Sequence, residues 1–199
     1  MKISDRICLA SILKVCKEEL LEKEMKKETV KAWIKDIVVA VAIATVILQF
    51  IRPTIVKEFS MMDTLHENDY LIVSRQAYLF DKVTYGDIVV FNTSLETTNG
   101  DKKRLIKRVI GLPGDTIEIR DGKVYRNEAL LEEDYIFEQY TSGSIKPMVI
   151  PDGQLFVMGD NRQNSADSRD ERIGTVDEKM IYGQAVLRLY PFDKIGLLK

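Results

Sequence analysis

The sequence predicts a mainly β protein built from antiparallel strands and preceded by one transmembrane helix. Two observations carry this prediction: a single uninterrupted apolar stretch near the N-terminus, and a series of short β-branched runs separated by turn residues after residue 53. The length of 199 residues, with 45% apolar and 30% charged residues, fits a folded chain with an ordinary core. A formal net charge of -2 argues against a basic protein that binds nucleic acid.

The apolar stretch has the composition of a membrane-spanning helix. Fifteen uncharged residues lie between Asp36 and Arg52, and a start at Trp33 gives a helix over residues 33–51. At 1.5 Å per residue this helix is about 28 Å long, close to the hydrocarbon thickness of a bilayer. A buried core helix and a cleavable signal peptide are the alternatives. The run is apolar on all sides, and about thirty residues precede it, so both alternatives are disfavoured.

The distribution of basic residues predicts the orientation of this helix. Only two basic residues, Arg52 and Lys57, follow it closely. Five lysines precede its uncharged stretch: Lys23, Lys26, Lys27, Lys31 and Lys35. The positive-inside rule therefore predicts a cytoplasmic N-terminus and an extracytoplasmic C-terminal part, on a single-pass protein of the cell membrane.

The remainder of the chain is predicted to be a small β protein. Strand-like runs occur at residues 70–73, 87–91, 116–119, 123–125, 155–158 and 181–190. Asp121-Gly122 is a two-residue hairpin signal between two of these runs. The polar stretch 92–103 is predicted to be a loop, and no helical pattern is found after residue 53.

Cysteine and histidine content limits the chemistry. Cys8 and Cys16 are the only cysteines, so neither a disulfide framework nor a cysteine metal cluster is expected. His66 is the only histidine, which disfavours a zinc site and restricts any Ser-His-Asp mechanism to that imidazole. If the chain is an enzyme, we therefore expect a base other than histidine.

Three separated clusters carry the candidate chemistry. Ser60 lies among large apolar residues nine positions after the predicted helix, and Lys107 lies in the strand-like run 105–110. The third cluster is the polar loop 159–169, which follows an apolar strand. Taken singly, none of the clusters indicates a function. Ser60 could be an ordinary serine, Lys107 a solvated lysine, and the loop a solvated turn.

Taken together, the clusters resemble the ordered motifs of the type I signal peptidases, which are membrane-anchored serine proteases with a Ser-Lys dyad. Residues 60–65 (Ser-Met-Met-Asp-Thr-Leu) resemble the family's Ser-Met-x-Pro-Thr-Leu box, and residues 86–91 its Gly-Asp-Ile-Val strand. Residues 106–115 resemble its lysine box, and residues 159–169 its last box. Four motifs in the right order behind a membrane anchor identify the chain as a member of this family.

The resemblance implies an antiparallel, signal-peptidase-like catalytic core with a small inserted β subdomain. Residues 1–32 are then the cytoplasmic tail and residues 33–51 the transmembrane helix. The core is formed by residues 52–116 and 151–199, and the subdomain by residues 117–150.

The resemblance also implies the roles of the site residues. Ser60 is expected to be the nucleophile and Lys107 the general base, which requires burial to lower the lysine pKa from about 10.4. Ser165, matched to the family's second hydroxyl, is expected to hydrogen-bond Lys107 and aim its amine at Ser60. Three charged residues are expected to support this geometry, with an ion pair between the last two: Asp160, Asp167 and Arg169.

The expected substrates are exported preproteins with small residues, such as alanine, at the first and third positions before the cut. An extended peptide could bind as an added strand beside shallow apolar pockets. The resemblance assigns the walls of these pockets to Val56, Met61, Leu65, Val90 and Ile106. The expected partners are thus signal peptides and the lipid bilayer, with no nucleic acid, and the resemblance calls for no metal and no cofactor.

The chain departs from the family pattern around its serine. Asp63 stands where proline is usual, and Glu58 and Phe59 stand where small residues are usual. In some members the residue two before the nucleophile donates a hydroxyl hydrogen bond to the oxyanion. A carboxylate cannot donate this bond, and losing one such donor costs about 10² to 10³ in rate.

Two other functions stay open at this stage. A non-proteolytic or catalytically weak relative could serve as an accessory or chaperone that binds exported segments during assembly of a surface structure. The departures at Glu58, Phe59 and Asp63 favour it, whereas retention of three residues opposes it: Ser60, Lys107 and Ser165. A soluble Ser-Lys autoprotease of the repressor type shares the dyad but lacks the membrane helix and the last box.

Overall fold

A computed structural model describes residues 3–97, 100 and 102–198. The chain forms a helical unit that ends at Gln49 and a β unit that begins at Phe50. Each unit is described by itself below.

The helical unit is one long helix, α1 (Ile3–Phe50). Its segment Glu24–Phe50 is long and apolar enough to cross a membrane. Large apolar side chains from Trp33 to Phe50 are 43–67% exposed, which disfavours the core-helix alternative. The helix ends at Phe50, one residue earlier than predicted. Towards the N-terminus it also includes residues 3–32, which were expected to be part of a tail. Pro53 explains the end at Phe50, because proline cannot continue a helix and favours extended backbone in the residue before it.

The described part of the β unit contains twelve strands and one short helix, α2 (Ala77–Phe80). The strands are β1 (Ile51–Ile55), β2 (Tyr70–Ser74), β3 (Ile88–Glu96), β4 (Lys102–Gly111), β5 (Thr116–Arg120), β6 (Lys123–Arg126), β7 (Ala129–Leu130), β8 (Ile145–Val149), β9 (Gln154–Met158), β10 (Val176–Asp177), β11 (Ile181–Tyr190) and β12 (Gly196–Leu197). Two single 3₁₀ turns, Glu178–Met180 and Phe192–Lys194, flank β11.

The strands form two antiparallel sheets. The larger sheet has the order β1-β2-β11-β3-β4-β9-β10, with β12 paired to β11. The smaller sheet has the order β7-β6-β5-β8 and falls within the stretch expected to be an inserted subdomain, although its first strand begins at Thr116. The mainly antiparallel β class predicted from the sequence is confirmed.

The hairpin predicted at Asp121-Gly122 is present between β5 and β6. Both residues have positive φ, 51° and 73°, as the favoured two-residue hairpin turn requires. Two predictions in the β unit are wrong. The predicted loop 92–103 is too long, because β3 continues to Glu96 and β4 begins at Lys102; polar residues on these half-exposed strands hid the pattern. Helix α2 was missed because it is only four residues long.

Three clusters of buried apolar side chains stabilise the β unit. One packs beneath the loop that joins β1 to β2 and includes Val56, Met61 and Leu65. The other two lie on the two sides of the region where β4 meets β9: one contains Val109 and Val157, and the other underlies the smaller sheet. This burial fixes the β1–β2 loop against β4, and the functional side chains lie at that junction.

Candidate active site

The β1–β2 loop carries Ser60, and two hydrogen bonds from Asn161 hold it in place. The main-chain N–H of Asn161 donates to the Ser60 carbonyl at 3.1 Å, and its side-chain amide donates to the Phe59 carbonyl at 3.2 Å. Met61 is buried directly after the serine, whereas Phe59 is half exposed. The backbone on both sides of Ser60 is therefore positioned by the loop that follows β9.

Strand β4 brings Lys107 to this serine. Lys107 is paired with Val89 of β3, and its side chain is only 1% exposed. Its Nζ lies 2.6 Å from Ser60 Oγ and donates to the Ile106 carbonyl at 2.9 Å. The serine and the lysine, 47 residues apart in the chain, are thus in direct hydrogen-bond contact in a buried site.

Burial changes the acid–base chemistry of Lys107. It lowers the pKa of the amine from 10.5 to about 8, because the charged form loses its hydration. The negative charges of Asp167, Glu58 and Asp160 oppose this shift, and the positive charge of Lys103 adds to it. Within the described residues, Lys107 has no carboxylate at ion-pair distance. A buried lysine without a direct counter-ion can be neutral near neutral pH and accept a proton.

The next residue, Arg108, is equally buried but is paired. Its guanidinium donates two hydrogen bonds to the Asp160 carboxylate, at 2.8 and 2.9 Å, and a third to the Gly86 carbonyl. Thr64 donates to the same carboxylate, and the Tyr135 ring lies 4.1 Å from the guanidinium carbon. Asp160, predicted to be a supporting residue, therefore joins the Ser60 loop to β4.

The other predicted supporting residues lie 2.8 Å apart in the loop after β9. Arg169 forms a two-point ion pair with Asp167, which also accepts the Gly159 N–H. Burial alone would raise the pKa of Asp167, but the hydrogen bonds and charge of Arg169 outweigh it and the pKa is lowered. A second buried pair, Arg162 with Glu133, ties this loop to the segment that follows β7.

Ser165 lies in the same loop but does not make the predicted contact with Lys107. Its Oγ is buried and makes no hydrogen bond of good geometry within the described residues, but it lies close enough to Asp167 to help lower the pKa of that carboxyl. The amine of Lys107 donates to the Ile106 carbonyl instead. A methyl group on Gly159 would overlap both Ser165 Oγ and the Ser60 carbonyl, so the two serines converge on this glycine. An orienting role of Ser165 stays a prediction.

A groove of about 660 Å³ opens beside Ser60. This volume is typical of pockets that enclose small ligands. Four of the five predicted substrate-binding residues line it: Val56, Met61, Val90 and Ile106. The fifth, Leu65, is fully buried in the core beneath the loop and is not among the lining residues, because its neighbours Val56 and Met61 cover it.

Glu58 also lines the groove, and its carboxylate is paired with Lys103 on β4 at 2.5 Å. Both side chains are partly exposed, at 46% and 38%. Asp63, the other departure from the family pattern, is exposed. Among the described residues, no group of three or more His, Cys, Asp or Glu side chains could hold a metal ion.

Sequence reasoning did not single out several residues that build this site. Arg108, Asn161 and Arg162 all lie inside or next to the recognised motifs, so their position in the motifs was the available signal. Lys103 carried no signal, because it lies in the stretch predicted to be a loop and pairs with a residue 45 positions away. The pair becomes visible only in the structure, where Lys103 lies on β4 within ion-pair distance of Glu58.

Comparisons with known proteins show which family the chain is similar to. A family model described as "Signal peptidase, peptidase S26" matches residues 30–190. Signal peptidase I of Bacillus licheniformis is 35% identical over 182 residues, which cover 85% of this chain and 94% of that protein. Signal peptidase I S of Bacillus subtilis (strain 168) is 36% identical over 186 residues, 87% of this chain and 96% of that protein. A crystal structure of a signal peptidase I from Enterococcus faecalis V583 shares 32% identity, with a TM-score of 0.41, over 52% of this chain and 97% of that chain.

Proposed function

Because the chain belongs to the signal peptidase family of S26 peptidases, we propose that it is a membrane-anchored serine endopeptidase that removes N-terminal signal peptides from exported preproteins. Ser60 is the proposed nucleophile and Lys107 the proposed general base. The observation that carries this assignment is the 2.6 Å contact between the two side chains, beside a groove that Ser60 itself lines.

In the first step, neutral Lys107 takes the proton of Ser60 Oγ as this oxygen bonds to the scissile carbonyl carbon. The carbonyl oxygen becomes an oxyanion, to which the Ser60 main-chain N–H is the proposed donor. Protonated Lys107 then returns the proton to the leaving amine nitrogen as the C–N bond breaks. Water, deprotonated by Lys107, finally releases the signal peptide from the acyl-enzyme.

The groove supports a preference for small residues at the first and third positions before the cut. Val56, Met61, Val90 and Ile106 form its apolar walls close to Ser60. An extended peptide can add main-chain hydrogen bonds there, whereas bulky side chains meet walls that are already packed. Ala-x-Ala sequences are therefore the proposed cleavage sites.

The remaining predicted residues receive supporting roles in this proposal. Asp160 and Asp167 hold the loop after β9 through their arginine partners, and this loop holds Ser60 through Asn161. Ser165 is proposed to bond Lys107 when substrate fills the site, because catalytic hydrogen bonds often tighten only in the complex.

We also propose that the N-terminus is cytoplasmic and the β unit extracytoplasmic. The lysines before the apolar part of α1 support this orientation. Protease added outside intact spheroplasts should digest the β unit and spare an N-terminal fragment. Digestion from the inside only would contradict the orientation.

The function is tested by cleavage of a membrane-embedded preprotein with an Ala-x-Ala site, using the full chain purified in detergent at pH 9. The wild type should cut after the second alanine, and Ser60→Ala and Lys107→Ala should not cut. Ser94→Ala and Lys123→Ala, which change exposed residues away from the site, should cut like the wild type.

A folded wild-type protein that binds several preproteins but cuts none would contradict the proposal. That outcome would instead support the accessory function, in which the groove holds exported segments without hydrolysis. Cutting by the wild type that survives both site substitutions would assign the chemistry to other residues.

A further inference from the structure

Three carboxylates act electrostatically on Lys107, and each is matched by its own cation. Asp160 pairs with Arg108 at 2.8 Å and Asp167 pairs with Arg169 at 2.8 Å. The third carboxylate, Glu58, pairs with Lys103 at 2.5 Å. The first two pairs belong to the recognised motifs, whereas the third does not.

The third pair differs from the others in its exposure. The Asp160 and Asp167 side chains are fully buried, but those of Glu58 and Lys103 are 46% and 38% exposed. Both residues line the same groove as Ser60, and Glu58 precedes the serine by only two residues. The pair therefore lies in the proposed substrate groove, on the same loop and strand as the two proposed catalytic residues.

An unpaired carboxylate at this place would oppose the proposed reaction in two ways. It would repel the oxyanion that forms beside Ser60, and it would stabilise the protonated form of Lys107. Lys103 counteracts both effects, since it neutralises Glu58 locally and adds a positive charge near Lys107. The burial-driven fall in the pKa of Lys107 is accordingly opposed by Glu58 and assisted by Lys103.

We propose that Lys103 is a positioning residue for the Ser60 site: its ammonium group holds the Glu58 carboxylate in an ion pair and compensates a negative charge that the reaction cannot tolerate beside the nucleophile. This inference rests on the proposed function and deepens it. It explains how the chain carries a glutamate two positions before its serine.

The charged groups that face Lys107 come from three elements. Glu58 lies on the β1–β2 loop, Lys103 on β4 itself, and Asp160 and Asp167 on the loop after β9. Because Asp160 and Asp167 keep their arginine partners when Lys103 or Glu58 is changed, the expected effects arise from one pair. Lys102 offers a matched control, since it is the adjacent exposed lysine of β4 and is not among the groove residues.

The test is the pH–rate profile of preprotein cleavage by the full chain, from pH 6 to 10, at low and at 1 M salt. Lys103→Met should lower kcat three- to tenfold and move the midpoint of the profile up by about half a pH unit. Glu58→Gln should move it down, and the double variant should return close to the wild type. Lys102→Met should leave the profile unchanged.

High salt should shrink the Lys103→Met effect, because the pair is partly exposed and therefore screened. A midpoint that is the same in Lys103→Met and Lys102→Met would overturn the inference, as would a double variant no closer to the wild type than Lys103→Met. If Lys103→Met does not fold, Glu58→Gln and the double variant still decide the question, since both must have midpoints at or below that of the wild type.

NMR titration of the Lys107 amine in the same variants separates this inference from the proposed function. If the wild type does not cut preproteins, the proposed function fails, and the titration midpoints still report whether Lys103 and Glu58 act on Lys107 in opposite directions. If the wild type cuts and the midpoints do not move, the inference fails and the function stands.

Discussion

Lys107 and Arg108 are consecutive residues of β4, and both side chains are 1–2% exposed. Arg108 forms a two-point ion pair with Asp160, whereas the closest partner of Lys107 is the hydroxyl of Ser60. A buried cation with a carboxylate partner stays charged and holds the structure together. A buried lysine without one gives up its proton more easily and becomes a base.

The difference shows how one strand serves two purposes. Successive side chains of a strand point to opposite faces, so neighbouring residues meet different surroundings. One face of β4 directs Lys107 at Ser60, and the other directs Arg108 at Asp160. Two consecutive residues of β4 therefore have different roles: Lys107 is the proposed base, and Arg108 stabilises the structure.

Lys107→Met gives the largest expected effect, because it removes the base but not the packing. Cleavage of an Ala-x-Ala preprotein should fall at least about 10³-fold. At pH 7 the free energy of unfolding should rise by roughly 2 kcal/mol, since the variant no longer buries a charge. Denaturant unfolding followed by tyrosine circular dichroism measures the second effect.

The stability gain of Lys107→Met should also depend on pH in a defined direction. Between about pH 8 and 10.5 the folded wild type has released the Lys107 proton while the unfolded chain still binds it. Wild-type stability therefore rises with pH in this interval relative to the variant, and the gain should shrink. A gain that grows with pH would mean that Lys107 is stabilised as the cation.

Asp160→Asn tests the structural role of the ion pair between Arg108 and Asp160. It leaves Arg108 buried without its counter-ion, and we expect a loss of about 3–5 kcal/mol in the free energy of unfolding. Asp170→Asn is the control, because its partner Arg172 is 71% exposed and surface pairs contribute little. Equal melting temperatures for the two variants would show that the Arg108 pair is not structural.

Gly159→Ala tests whether the position of Ser60 relative to Lys107 matters for cleavage. Its added methyl group would overlap the Ser60 carbonyl and the Ser165 hydroxyl, and small displacements of a nucleophile cost about 10²-fold in rate. Gly196→Ala meets no neighbouring atom and should behave like the wild type in the cleavage assay. Unchanged activity of Gly159→Ala would contradict the tight convergence on this glycine.

Ser165→Ala gives the smallest expected effect and sharpens the role of Lys107. If Ser165 orients the amine only when substrate is bound, cleavage should fall about tenfold with no loss of stability. The pH–rate midpoint should fall slightly, because the lone pair of neutral Lys107 faces the Ser60 proton, so Ser165 can only accept from the amine and favours its charged form. A wild-type rate and midpoint would remove Ser165 from the mechanism.

The parts of the structure that the sequence predicts are those with local signals. The apolar run, the strand periodicity and the Asp121-Gly122 turn each depend on neighbouring residues, and all three features are present. The sequence motifs alone identify Ser60 and Lys107. The structure adds the distance between them, which depends on how β1, β3 and β4 pair.

Long-range pairing explains what the sequence left out. Glu58–Lys103 and Arg108–Asp160 join residues 45 and 52 positions apart, and no local pattern predicts such contacts. Leu65 was assigned to the groove by its position in a motif, but it packs beneath the groove because the loop folds over it. Polar residues on the ends of β3 and β4 looked like a loop because both ends are partly exposed.

Titration of Lys107 in the intact protein tests the central contrast most directly. The chain, labelled with ¹³C at the lysine Cε and purified in detergent, would be followed by NMR from pH 6 to 11, with Lys107→Met to assign the signal. A midpoint near 8 is predicted, as expected for a buried amine that has Ser60 rather than a carboxylate as its partner. A midpoint at or above the ordinary value of 10.5 would contradict the account, because Lys107 would then remain a cation like Arg108.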